Sequence, residues 1–122
     1  MKDFQSALKS FERAQKDPTL RVKSIVSSGH CYLAMKNFNQ AASEFERAIN
    51  MNPEDESSEI LYARYFLSLC YEKRRDVDNA IEQWEQIYKV KPDFKDVAEK
   101  LSQYQDLRTD DHLKDFLTAS SS

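Results

Sequence analysis

Phe11-Glu12-Arg13-Ala14 returns as Phe45-Glu46-Arg47-Ala48, 34 residues further on (45 − 11 = 34). The lead-in returns with it. Lys2-Asp3-Phe4 with Ala7 precedes the first copy, and Lys36-Asn37-Phe38 with Ala41 precedes the second, at the same offset. Phe and Ala spaced three and four apart lay one apolar stripe along a helix. A period of this length built from such stripes signals stacked helical hairpins, each burying its apolar side against the next.

The residues on either side extend the pattern. Phe4, Ala7, Leu8, Phe11 and Ala14 predict a helix from about Phe4 to Lys16, capped by Asp3 and stopped by Pro18. Val22, Ile25, Val26, Gly29, Tyr32 and Leu33 predict a second, from Leu20 to Met35. Gly29, the one glycine, falls inside it at a cost of about 1 kcal/mol relative to Ala, which a close approach of the neighbouring helix backbone explains. Asn37 caps a third helix, Phe38 to Met51, with Ala41, Phe45, Ala48 and Ile49 inward and Pro53 beyond its end. The acidic run from Glu54 is expected to open a fourth helix at Asp55 or Ser57, reaching Lys73. Asp76 caps a fifth, Val77 to Val90, with Ala80, Ile81, Trp84, Ile87 and Tyr88 inward. A sixth, Phe94 to Leu107, carries Phe94, Val97, Ala98, Leu101 and Tyr104 on one side, as a terminal capping helix needs. Thr109 to Leu117 reads as a short last helix before a serine stump.

Composition agrees. One glycine and three prolines in 122 residues favour long helices and short connections. A net charge of −3 supplies no basic face for nucleic acid. No apolar run approaches the roughly 20 residues of a membrane span, and no signal segment is visible at Met1. The cytoplasm is therefore favoured, with a bacterial periplasm open if a targeting segment was removed. Cys31 and Cys70 make no disulfide framework and are expected to be small buried hydrophobes. His30 beside Cys31 points elsewhere on a helix and has no second ligand at matching spacing, so no metal is expected. No cofactor motif and no acid–base or nucleophile constellation can be assembled, so no enzyme is expected.

The residues resemble the tetratricopeptide repeat family. With one unit starting at Val22, Gly29, Tyr32, Ala41, Phe45, Ala48 and Pro53 match the family pattern, and Ser28 departs from it. With the next starting at Leu61, Leu67, Ser68, Tyr71, Ala80, Trp84 and Pro92 match, while Arg64 and Ile87 depart. The resemblance implies an all-α, right-handed superhelical stack of antiparallel hairpins. It divides the chain into a half repeat (1–18), a unit (19–53), a unit with a lengthened first helix (54–92), a capping helix (93–108) and a tail (109–122). Ala41 to Ala80 is 39 residues, five over the period. If helical, those five lengthen the fourth helix by about 7 Å.

The family's concave groove then falls to Lys23, Val26, Ser27, His30, Leu33 and Ala34 of one unit and Tyr62, Tyr65, Phe66, Leu69, Glu72 and Lys73 of the next. Tyr and Phe there are the residue types of binding hot spots. The same aromatics at helical spacing also suit a core, and the two readings stay even. A use known in the family, gripping a chaperone's C-terminal carboxylate, is matched by Lys23 but not by Ser27, Tyr62 or Phe66. A helix or extended peptide with apolar anchors is the better expectation, with Lys23 and Lys73 orienting a partner carboxylate. Phe4, Leu8 and Phe11 face a helix the sequence does not supply, so either an upstream segment or another molecule is expected to cover them, and a homodimer through that end is the reading favoured. The expected function is a protein-interaction scaffold. The rival is a regulatory or targeting domain of a larger protein, an enzyme or a bacterial envelope or motility factor.

Overall fold

The computed structural model describes residues 3–104. Five complete helices follow in order: α1 Phe4–Ala14, α2 Arg21–Ala34, α3 Phe38–Met51, α4 Ser58–Lys73 and α5 Val77–Val90. Residues 97–104 form a sixth, α6, within the described part. Packing is sequential, α1 on α2, α2 on α3, α3 on α4 and α4 on α5, with a smaller direct contact from α2 to α4. Among the described residues the fold is all-α, a solenoid of helical hairpins. Helix ends expected from Thr109 and Leu107 lie outside the described residues.

Local chemistry sets the helix starts. The Asp3 carboxylate accepts from the Ser6 amide at 3.1 Å, Asn37 from the Gln40 amide at 3.4 Å, and the Ser57 hydroxyl from the Ile60 amide at 3.4 Å. Asp76 differs, because its side chain makes no backbone cap bond and accepts instead from Asn79 Nδ2 at 2.7 Å. The two within-unit turns are alike. Asn37 N–H donates to Tyr32 O at 2.8 Å, and Asp76 N–H to Tyr71 O at 2.8 Å. Each bond spans a left-handed residue, Lys36 at φ 61° and Arg75 at φ 59°. This is the Schellman end, with a cation where glycine is usual.

The Phe and Ala stripe makes the core. Phe45, Ala41, Ala48, Ala80, Ile81, Trp84 and Ile87 are buried, joined by Ile60, Leu67, Cys70 and Val97. The Trp84 indole N–H, deep inside, donates to Ser68 Oγ at 2.8 Å, and that hydroxyl donates in turn to Tyr65 O. A buried polar chain of this kind is tolerable because each donor is satisfied.

Several expectations change. A Cβ on Gly29 would lie 2.6 Å from Cε1 of Phe45, so the glycine admits a ring, not a helix backbone. Tyr88 is 45% exposed and not inward. Ala98 is exposed. Phe94 is buried, but in the turn before α6, which starts at 97. Cys70 is buried, whereas Cys31 is only half-buried.

The long repeat also resolves differently. Helix starts fall at Phe4, Phe38 and Val77, intervals of 34 and 39 residues. The linkers 15–20 and 52–57 are equally long. α3 has 14 residues against 11 in α1, and α4 has 16 against 14 in α2. Three of the five extra residues therefore prolong α3 and two prolong α4. The fourth helix gains about 3 Å instead of about 7 Å, because Ser57 caps it and residues 54–57 remain outside.

Candidate functional site

Residues three and four apart share a helix face. Lys23, Ser27 and His30 therefore share a stripe on α2, and Tyr62, Phe66, Leu69 and Lys73 one on α4. The small α2–α4 contact brings the stripes together. Its centre is His30, whose ring meets Phe66 edge-on at 4.4 Å and Phe45 at 5.5 Å. Phe66 stacks on Phe45 at 6.0 Å and on Tyr62 at 6.4 Å. The run from Phe45 through Phe66 to Tyr62 thus grades from buried core to a ring 41% exposed.

The structure places each expected residue. Val26 is buried and belongs to the core. Ser27, His30, Phe66 and Leu69 are half-buried on the shared surface, and Lys23 is exposed beside them. Tyr65 is half-buried and turned toward α6, its hydroxyl donating to Asp96 Oδ1 at 2.7 Å. Lys73 is exposed at the far end of α4, 6.0 Å from the Phe38 ring, away from Tyr62. Leu33 is half-buried and Ala34 exposed. The aromatic set is thus divided: Tyr65 is tied inward, Phe66 straddles, and Tyr62 faces out. Phe4, Leu8 and Phe11 are each half-buried on α1, which has no fully buried residue.

Sequence reasoning missed one wall. Phe94, Lys95 and Asp96 come from the linker before α6 and close the site at the α4 side. Phe94 meets Tyr62 edge-on at 5.0 Å and Tyr65 at 6.1 Å. The Lys95 ammonium lies over both rings, 5.3 Å from Tyr62 and 5.5 Å from Tyr65. Further along, Glu72 accepts from Lys100 Nζ at 3.0 Å and from the Tyr104 hydroxyl at 3.0 Å. Phe94 carried a signal as an apolar residue. Nothing in the sequence marked Lys95, whose placement needs a backbone φ of 44°.

Burial governs the protonation states. It lowers the His30 pKa below the usual imidazole value, so the ring is neutral at pH 7. It pushes the Tyr65 hydroxyl up to about 12, helped by the bond to Asp96. Burial alone would pull Lys100 down, but the Glu72 carboxylate outweighs it and holds the ammonium up. Burial also drives the Cys70 thiol up to about 11, which makes it inert. Among the described residues no group of three His, Cys, Asp or Glu side chains could hold a metal ion, and no helix is long and apolar enough to cross a membrane. The arrangement offers an apolar, partly aromatic surface with cationic edges.

A family model described as tetratricopeptide repeat matches residues 22–55, which span α2, α3 and the turn after them. Among solved structures, the chain is similar to one described as "Crystal structure of MamA". The two share 18% identity over 88% of this chain and 80% of that chain, with a TM-score of 0.37. A comparison with curated protein sequences found no match.

Proposed function

We propose that this tetratricopeptide-repeat chain is a non-catalytic scaffold that holds a peptide or helix of a partner protein along the α2–α4 surface. The observation that carries the reading is Tyr62, a large ring 41% exposed on top of a continuous aromatic stack rooted in the core. A ring held this way has little rotamer freedom left to lose, and it offers area for an apolar side chain to cover. Ser27, His30, Phe66 and Leu69 supply the surrounding floor. Lys23 at one end and Lys73 at the other orient an acidic partner.

Tyr62→Ala tests it. The ring also meets Phe66, Phe94 and Lys95, so affinity falls by about 1–3 kcal/mol while the unfolding midpoint drops only modestly and the fold is kept. Phe66→Ala is a poorer probe, because Phe66 also packs on Phe45 and its loss costs stability. Binding is read by fluorescence anisotropy with a labelled peptide selected on the wild-type chain, and folding by circular dichroism on the same samples. Unchanged affinity in Tyr62→Ala rejects the groove.

A second contact surface is proposed on α1. Phe4, Leu8 and Phe11 are half-buried on α1, which packs on α2 and has no fully buried residue. A homodimer through this helix is expected. Light scattering that reports a monomer at micromolar concentration, unaffected by Leu8→Glu, rejects it.

A further inference from the structure

The linker before α6 bears on which residues of a partner the α2–α4 surface selects. Three described residues have left-handed backbone: Lys36, Arg75 and Lys95. The first two end α2 and α4, where such a residue is the ordinary stop. Lys95 ends nothing. It sits between the buried Phe94 and Asp96, and its φ of 44° turns the chain so that its neighbours face inward. Its own ammonium is thereby set over Tyr62 and Tyr65, 5.3 and 5.5 Å from the ring centroids.

The charges around it matter. The chain as a whole is negative, at −3, yet α2 contains Arg21, Lys23 and no acid. Two of the nearby acids are already engaged. Asp96 accepts from Tyr65, and Glu72 from Lys100 and Tyr104. Glu59, half-buried one turn before Tyr62, is the acidic residue on the α4 stripe itself. Lys23, Lys73 and Lys95 are exposed, and among the described residues none of the three has an ion pair. An ammonium over a ring face keeps donors free for an incoming anion while the ring holds it in position. The surface therefore presents an apolar ring with an oriented cation beside it.

We infer that the partner segment carries an aspartate or glutamate next to the apolar residue that covers Tyr62, and that Lys95 selects it. The inference rests on the groove reading and adds to it the position of the acid, beside the residue that covers Tyr62, and a specificity residue. The acid would sit at the exposed edge, so it tunes selection more than total affinity.

A displayed library of random short peptides, panned against the full chain, tests both readings separately. The expected result is enrichment of Asp or Glu beside an apolar residue. Changing that acid to its amide in the tightest peptide weakens binding by roughly three- to tenfold, and the loss shrinks at high salt. Lys95→Gly suits the left-handed backbone and removes the charge, so it should fold at least as well and lose the acid preference. Lys95→Glu should turn the preference toward Lys or Arg. Peptides that depend on Tyr62 but ignore acids, or an acid preference that survives Lys95→Gly, overturn this inference alone. No binder, or binders indifferent to Tyr62→Ala, overturns the groove and the inference with it. A Tyr62-dependent dimer in light scattering assigns the surface to a second copy and overturns the inference as well.

Discussion

Gly29 and Phe45 show how tightly single residues are set. The ring of Phe45 is wholly buried, and a Cβ at 29 would stand 2.6 to 2.9 Å from three of its carbons. The ring cannot swing away without opening the core. Ala is a better helix former than Gly by about 1 kcal/mol, but overpacking here costs about 1–3 kcal/mol. Clash wins, and Gly29→Ala is expected to lower stability in urea unfolding by up to about 2 kcal/mol. Ser68 makes a second case. It accepts the Trp84 indole N–H at 2.8 Å in a buried position. Ser68→Ala leaves that donor without a partner, at about 1–3 kcal/mol. Ser68→Thr, which keeps the hydroxyl, should recover part of the loss.

At the scale of elements, the helices were legible because they are punctuated. α3 and α5 fall where Asn37, Pro53, Asp76 and Pro92 place them, both ends included. The buried stripes followed from the three-and-four spacing of Phe45, Ala48, Trp84 and Ile87. The site was legible in halves. Its α2 and α4 stripes repeat with the helix and can be counted. Its third wall cannot, because Lys95 and Asp96 lie in a linker whose left-handed turn no glycine announces. The five extra residues misled for a related reason. Counting locates them between two motifs, whereas hydrogen bonding decides that three lengthen α3 and two lengthen α4. The paired turns give a prediction of their own. Lys36 and Arg75 hold left-handed backbone at a strain of about 1–2 kcal/mol, and glycine there gives back about 0.5–1 kcal/mol in unfolded-state entropy. Lys36→Gly and Arg75→Gly should each raise stability by about 0.5 kcal/mol, additively, since they lie in different units. Thermal melts of the two single variants and the double check this.

For the whole molecule, contacts between neighbours in sequence dominate, so stability accumulates unit by unit. α1, with no fully buried residue, is the weakest link, and its amides should exchange fastest, with those of α3, α4 and α5 slowest. The whole also responds to pH through His30. Its folded pKa lies below its unfolded value near 6.5, so the unfolded chain takes up the proton first. The contribution of His30 to stability is fully present above its unfolded pKa near 6.5 and is lost as pH drops through the folded value. The urea midpoint should therefore decrease from about pH 7 to about pH 5, and His30→Gln should flatten that slope. The central claim is that the array holds a protein segment on the exposed end of its aromatic stack. The most direct measurement is titration of the best library peptide into the wild-type chain and Tyr62→Ala, with melting curves on the same samples. The expected affinity is about 10- to 100-fold weaker for a variant that still melts as a folded chain, with only a modest fall in melting temperature. Equal affinity, or a variant already unfolded at the titration temperature, would contradict it.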